Sequence, residues 1–472
     1  MDTFYWHDYE TWGTNPSVDL PSQFAGIRTD LDFNIIGDPL NILCRPNLDT
    51  IPHTEACLVT GILPQDADKN GLNEREFFSR IFSEMIKPNT CTLGFNSLRF
   101  DDEVTRYGYF RNFFDPYERE WKNNNSRWDI IDLVRLCYAL RPHGISWPLN
   151  DQGEVSFKLE DLTRQNNLTH EDAHDALSDV YATIALAKLI KKTHSKLFNY
   201  IFSIRKKENI KPILKIGSNK PLLHISSFFG KKNLNMSIIL PICENKKNKN
   251  EIICVDLRYS PDILIESSEE EIYHQFYEKN NDIKLPIFSI YLNRCPILLT
   301  TKLLTPGLAD RAFIDTDQCD LNLKKYKNSL NLKSKLENVF QKRVFPVSQL
   351  DSEQRLYDKF IPDSDRFLIK KIPYMNSNEL LQKLSFEDDR LSDLFFRYRA
   401  RNFSDTLSDQ EKKVWNEYCY NKCLKGSNNP LARELKIISD LIKNNPESAE
   451  FLNKLCDYLN DKSIYIKENF IG

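Results

Sequence analysis

The run Thr3-Phe4-Tyr5-Trp6, followed by His7-Asp8-Tyr9-Glu10-Thr11-Trp12-Gly13, constrains the fold more than any other stretch of the chain. Aromatic and β-branched residues in succession read as a strand. Side chains alternate across a strand, so Phe4, Trp6, Asp8 and Glu10 share one face while Tyr5 and Tyr9 take the other. A strand that is apolar on both faces is covered on both sides, the pattern of a central strand. Asp8 and Glu10 then stand about 7 Å apart at its end, where two carboxylates are costly unless a cation holds them. A hard divalent cation suits the position because it prefers oxygen ligands. Taken alone, the pair reads more simply as two solvated acids.

The rest of the chain sorts into three textures. With 472 residues it exceeds one ordinary core, so two to four domains are expected. Over residues 1–192 strands and helices alternate. Short runs at 24–29, 33–36 and 41–44 suggest an antiparallel meander. Phe77, Phe78, Ile81, Phe82 and Met85 recur at helical spacing over 73–86. A strand at 91–95 and helices over 102–114 and 129–140 follow, the latter ended by Pro142. A last helix runs to about residue 192, with Asp172 and Asp175 near its start, where the dipole favours acids. This is an α/β domain. Over 195–347, strands at 222–229, 236–242, 252–257 and 287–299 with one inserted helix at 269–279 predict a small barrel or sandwich. Over 350–472 the periodicity is helical, at 380–384, 391–398, 412–423, 431–443 and 449–459, which predicts a bundle.

Net charge is −3, so any contact with nucleic acid must come from local basic grooves rather than bulk attraction. The eleven cysteines are scattered without a C-x-x-C pair, which favours reduced thiols and the cytoplasm over disulfides or zinc. The N-terminus has neither a basic start nor an apolar core like that of a secretion signal. No apolar run approaches the ~18 residues of a membrane helix.

Two further segments carry chemistry. Asn96-Ser97-Leu98-Arg99-Phe100-Asp101-Asp102 directly follows the 91–95 strand, and His174-Asp175-Ala176-Leu177-Ser178-Asp179 opens the long helix. Five residues is about 140° of helical rotation. His174 and Asp179 therefore meet only if His174 lies at the irregular entry and Asp179 on the second turn, which leaves Asp175 as a terminus acid. The order D-x-E, an acid after a strand-turn, then H-x4-D at a helix start resembles the DEDD exonucleases of the histidine subtype. That resemblance implies an RNase H-like fold, with Asp8, Glu10, Asp101 and Asp179 as ligands of two divalent metals and His174 as general base.

The resemblance narrows further. His7-Asp8-Tyr9-Glu10-Thr11, Arg99-Phe100-Asp101-Asp102-Glu103-Val104-Thr105-Arg106, Asn125-Ser126-Arg127-Trp128-Asp129, Cys137-Tyr138-Ala139-Leu140-Arg141-Pro142, Ala173-His174-Asp175-Ala176 and Tyr398-Arg399-Ala400-Arg401-Asn402-Phe403 are similar to segments of the bacterial exodeoxyribonuclease I family. Membership implies an RNase H-like exonuclease domain, an SH3-like β-barrel domain and a C-terminal α-helical domain that close a groove around single-stranded DNA. It further implies processive 3′-to-5′ hydrolysis to 5′-mononucleotides, in DNA repair and recombination. The cofactor would be two Mg2+ ions, with Mn2+ able to substitute. Two metals about 3.5–4 Å apart bind the phosphate, activate water and stabilise the leaving oxygen. Asp8 would bridge them. His174 would take the water's proton, a task suited to an imidazole with its ordinary pKa of ~6.5. Single-stranded DNA-binding protein is the implied partner of a monomer with no membrane contact. A proofreading or small-RNA exonuclease, or an inactive single-strand-binding scaffold, remain the alternatives.

A path for the strand is legible in residues 106–128, where eight aromatic rings mingle with arginines. Aromatic faces stack unpaired bases without regard to sequence. Most of these rings read as core, whereas Tyr117 and Trp121, beyond Pro116, read as contacts. Arg106 and Arg135 would meet phosphates or else form structural ion pairs. Glu10 is placed to meet the 3′ terminus as well as metal. Lys158 stands where the family leads one to expect arginine; it keeps the charge and loses the bidentate fork.

Overall fold

The computed structural model describes residues 1–170, 173–278, 285–343, 349–382, 384–426 and 429–471. In chain order the first elements are β1 (Thr3–Thr11), β2 (Pro21–Thr29), β3 (Leu40–Leu43), α1 (Thr54–Thr60), α2 (Pro64–Asn70), α3 (Glu74–Met85), β4 (Thr90–Gly94), α4 (Asp101–Arg111), α5 (Glu118–Trp121), β5 (Ser126–Asp129), α6 (Ile130–Leu140), α7 (Leu159–Gln165) and α8 (Ala176–Thr193). The chain forms two compact units. One is Met1–Asn125 with Glu171–Tyr181 and Val347–Gly472; the other is Ser126–His170 with Ala182–Pro346.

In the first unit the strands run in the order β3-β2-β1-β4. β1 pairs antiparallel with β2 along its length but parallel with β4 only from Thr3 to Trp6. Tyr5, Tyr9 and Phe24 pack with Phe77, Phe78 and Ile81 of α3 and Val104 and Tyr109 of α4. On the opposite face Phe4, Trp6 and Phe33 gather with ring centroids 5.5–5.7 Å apart. The covered central strand expected from the aromatic run is present, and it extends through Asp8 and Glu10.

The predicted 33–36 strand is not formed. The Asp30 carboxylate accepts the N–H groups of Asp32 and Asn34, which curls the chain into a turn with Phe33 at φ 67° and leaves a single bridge, Thr29 to Ile35. The helices α1 and α2 escape the periodicity reading because each has only seven residues. They matter, since Cys57 and Ala67, with Trp12 and Leu20, share a core with Leu431, Ile438, Leu452, Leu455 and Leu459. A second core joins Tyr107, Phe110 and Phe113 to Leu391, Leu394, Phe395 and Tyr398.

The C-terminal region is helical as expected, at Asp389–Asn402, Asp409–Leu424, Pro430–Asn444 and Ala449–Ile471. Asp388, Ser408 and Asn429 accept backbone N–H groups at the first three starts, and Ser408 and Glu411 complete a reciprocal capping box. The last helix runs beyond the predicted 449–459. The run at 380–384 is reduced to one turn, Ser377–Leu380, and Lys383 lies outside the described residues. Tyr398-Arg399-Ala400-Arg401-Asn402 is a fastening. Tyr398 accepts from Arg75 Nε at 3.0 Å, and Arg401 forks onto the buried Asp49 at 2.7 and 3.0 Å. Lys422 reaches the same carboxylate at 2.6 Å.

The second unit holds β5, α6 with Asp129 accepting the Ile131 N–H at its start, and α7. Its sheet comprises β6 (Leu222–Ile225), β7 (Met236–Glu244), β8 (Glu251–Asp256), β9 (Ile287–Tyr291) and β10 (Ile297–Thr300) in the order β10-β6-β7-β8-β9. All its pairings are antiparallel. The predicted 222–229 strand stops at Ile225 because the Ser226 side chain accepts the Phe228 N–H and starts a tight turn. The 287–299 run breaks into two strands around a turn at Leu292–Arg294. The single inserted helix is one of several. Glu269–Tyr277 is joined by Asp262–Glu266, Pro306–Arg311, Thr316–Asn328 and Leu332–Lys342. Thr316–Asn328 is mostly polar, so its apolar stripe is faint. Lys279, assigned to the inserted helix, lies outside the described residues, as does Asp172. Among the described residues no helix is long and apolar enough to cross a membrane. All eleven cysteines are unpaired thiols.

Candidate active site

The site is built where β1 outruns β4. Trp6 is the last β1 residue in register with β4, opposite Leu93, so the β4 edge of β1 is open beside Asp8, Tyr9 and Glu10. Asp101, the first residue of α4, fills that opening: its Oδ1 accepts the Tyr9 N–H at 3.0 Å. This bond fixes the acid between Asp8 and Glu10 in height and satisfies a strand amide that β4 does not reach. Behind it, Thr105 on the next turn bonds both the Asp101 carbonyl, at 2.8 Å, and the Tyr9 hydroxyl, at 3.0 Å. Asp102, adjacent in sequence, turns the other way and forms a buried pair with Arg119 at 2.5 Å. Its charge is therefore matched within the fold.

The fourth acid comes from α8. Asp175 stands just before the helix and accepts the Ser178 N–H at 3.0 Å, and its carbonyl takes the Asp179 N–H, also at 3.0 Å. It is a cap, as the sequence suggested. Asp179 lies on the first turn rather than the second, because the helix begins two residues after His174. His174 has a φ of 69°, a left-handed conformation that histidine adopts more readily than most side chains. That geometry brings it to the acids. Glu10, His174 and Asp179 each offer a ligand atom, and these atoms lie within 4.8 Å of one another.

The electrostatics suit a cation. Burial, and then the charges of Asp101, Glu10, Asp179 and Asp175, hold the Asp8 carboxyl well above the usual carboxylate range. Burial, followed by Asp179, Asp101 and Asp175, pushes Glu10 up to about 8. Among the described residues, the charges that act most strongly on these two acids are carboxylates. Such a set is stable as anions only around positive charge, and an all-oxygen donor group with one histidine beside it suits hard divalent ions. The residues therefore fit the metal that the motif order implied.

The expected DNA-contact residues fall into different environments. Arg106 is buried, with Glu120 at 2.8 Å, Glu103 at 2.7 Å and the Tyr357 hydroxyl at 3.2 Å; the structure gives it the ion-pair alternative. Tyr117 is half-buried with that guanidinium 5.5 Å from its ring centre. Trp121 is 66% exposed. In the second unit Arg135 pairs with Asp132 at 2.5 Å, while the Lys158 side chain extends into solvent with Glu160 at 3.4 Å. One residue passed over in the sequence stands beside the site: Gln23, a buried polar side chain on β2 opposite Glu10. A glutamine in an otherwise covered strand is the signal that was available.

Comparison with known proteins places these features in a family. Residues 5–187 match the exonuclease family, 205–342 the exonuclease I SH3-like domain and 350–462 the exonuclease I C-terminal domain. The exodeoxyribonuclease I of Haemophilus influenzae is 41% identical over 465 residues, covering 97% of this chain and 98% of that protein. The crystal structure of Escherichia coli exonuclease I in complex with a dA16 oligonucleotide superposes with a TM-score of 0.93 at 39% identity, covering 98% of this chain and all of that one. An ExoI/SSB-Ct complex matches with a TM-score of 0.91 at 38% identity, over 98% of this chain and 99% of that one. The architecture is therefore an RNase H-like exonuclease domain, an SH3-like domain and a helical C-terminal domain, in that order. With identity sustained along nearly its whole length and its domains in the same order, the chain belongs to the exodeoxyribonuclease I family.

Proposed function

We propose that this chain is a 3′-to-5′ exonuclease that shortens single-stranded DNA to 5′-mononucleotides, with Asp8, Glu10, Asp101 and Asp179 holding two divalent cations, magnesium by preference. The observation that carries the reading is the convergence of His174 with Glu10 and Asp179 beside two further acids. When bound, the cations would supply charge to the scissile phosphate, an activated water and stabilisation of the leaving 3′ oxygen.

The chain's own groups do the remaining work. Asp8, central on the strand, would offer its carboxylate to the cations. Asp101 keeps one oxygen on the Tyr9 N–H, which holds its carboxylate at the height of Asp8 and Glu10. Exposed at the helix entry, the His174 imidazole is placed to accept the proton that the attacking water loses. Trp121 presents a solvent-facing ring to an unpaired base. Lys158 offers a point charge to a phosphate where a bidentate fork would hold it more tightly. Arg106 and Arg135, each paired to an aspartate or glutamate, are proposed to brace the fold.

Processive digestion, a role in DNA repair and recombination, a monomeric state and a cytoplasmic location follow from the family reading. So does recruitment through the C-terminal segment of single-stranded DNA-binding protein. The test compares oligonucleotides labelled at either end, as single-stranded DNA, duplex DNA and RNA, with Mg2+, Mn2+ or chelator. Loss of mononucleotides from the 3′ end of single-stranded DNA alone, abolished by chelator, supports the proposal. Preferred digestion of RNA, or binding with no shortening under either metal, overturns it.

A further inference from the structure

Gln23 ties the β1–β2 pair to the segment that carries His174 and Asp179. It sits directly across from Glu10 in the antiparallel register, so the two side chains share a face of the sheet. The residue is 6% exposed, and its amide makes three bonds. Nε2 donates to Asp175 Oδ1 at 2.8 Å and to Asn41 Oδ1 at 3.1 Å, while Oε1 accepts the Ala176 N–H at 3.3 Å. A side chain that both donates twice and accepts once is a carboxamide; a carboxylate cannot donate and a hydroxyl is too short on donors.

We infer that Gln23 is a positioning residue which, through Asp175, sets the place of His174 and Asp179 relative to Glu10. Asp175 uses its two oxygens for different tasks. Oδ1 takes Gln23 and Oδ2 takes the Ser178 N–H, so the cap of α8 and the anchor on the sheet are one carboxylate. His174 precedes it by one residue with φ at 69°, a backbone state that persists only where its surroundings hold it. The Gln23 clamp is such a hold. It fixes the first turn of α8 on β2, directly across from Glu10 of β1, and so keeps the ligand atoms of Glu10, His174 and Asp179 within 4.8 Å. The inference rests on the exonuclease reading only for what those atoms then do.

The test has an arm that needs neither metal nor activity. In the metal-free protein, Gln23→Leu is expected to speed hydrogen exchange at the Ser178 and Asp179 amides by about 10-fold or more, with the middle of α3 unchanged. In the Mg2+-loaded protein, kcat on a single-stranded oligonucleotide should fall about 10–100-fold, the usual cost of losing a residue that orients metal ligands, while KM stays within about 3-fold. Gln23→Glu sets a carboxylate against Asp175 and should do the same; adding Asp175→Asn restores a donor–acceptor match and should recover most of the lost kcat. Unchanged exchange at Ser178 and Asp179, unchanged kcat in both single variants, or a double variant no better than Gln23→Glu would each overturn the inference. If Gln23→Leu does not fold, the Gln23→Glu pair carries the same readouts. Should the wild type leave every oligonucleotide intact, the exonuclease reading fails, and the exchange arm still decides the role of Gln23.

Discussion

Replacing Asp49 with asparagine is expected to loosen the C-terminal helices from the sheet domain. The Asp49 side chain is fully buried and takes Arg401 at 2.7 Å and Lys422 at 2.6 Å. Burial opposes its ionisation, but Arg401 and Lys422 more than reverse that and hold the carboxyl far below the usual range. Glu353 lies 2.6 Å from Arg401, so the variant leaves the buried Arg401 and the half-buried Lys422 sharing one anion. Breaking a buried pair from one side costs about 3–5 kcal/mol, and the asparagine keeps an acceptor, so about 3 kcal/mol is the working figure. The first unit contains roughly 260 residues, for which the unfolding entropy is about 0.5 kcal/mol/K; the expected drop in Tm is therefore about 5 °C by scanning calorimetry. Arg401→Met should cost a similar amount, and the double variant should fall short of the sum by about 1–2 kcal/mol because the two side chains touch. A shift in Tm below about 1 °C, or strict additivity, would refute the reasoning.

Four other perturbations separate the parts of the site. Since folding raises the Glu10 pKa to about 8 and raises Asp8 likewise, the metal-free fold retains protons that the unfolded chain releases. Its stability should therefore fall as pH rises from about 4.5 towards 8, by about 2–3 kcal/mol after solvent screening. Mg2+ needs the ionised acids, so its gain in Tm should be larger at pH 8.5 than at pH 6; equal gains would contradict this. Trp121→Ala should raise KM for single-stranded DNA about 5–30-fold with kcat unchanged, the loss of one stacked base. Arg106→Ala should instead lower Tm by several degrees and leave KM nearly alone, and the reverse pattern would reassign both residues. Lys158→Arg should lower KM about 2–5-fold by restoring the fork; no change in affinity would remove Lys158 from the DNA path.

How much of this was legible in the chain follows from the physics of each feature. The central strand was, because Phe4, Tyr5, Trp6 and Tyr9 cover both faces of β1 and only a covered strand tolerates that. Most longer helices were, through their apolar spacing. The four acids and His174 were singled out by order and placement, yet no spacing rule puts His174 at φ 69° or Asp179 on the first turn. That geometry depends on Asp175 and Gln23, whose bonds cross about 150 residues of chain. The short elements α1, α2 and β5 were lost for lack of period, and the longer helix Thr316–Asn328 because it is mostly polar. The rings of Tyr107, Phe110 and Phe113 share a core with Leu391 and Leu394, a long-range packing that no local period announces. An ion-pair role for Arg106 needed the positions of Glu103 and Glu120, which sequence leaves open.

The central claim is that Asp8 and its neighbours hold the metal at which the phosphodiester is cut. The direct measurement is the rate of 3′-end digestion of a labelled single-stranded oligonucleotide with Mg2+ by the wild type and Asp8→Ala, alongside oligonucleotide binding by each in chelator. Losing a proposed metal ligand would remove several kcal/mol of transition-state stabilisation, so the variant should be slower by at least ~10³-fold while its fold and DNA affinity persist. An Asp8→Ala protein that digests the strand within about 10-fold of the wild-type rate would contradict the assignment.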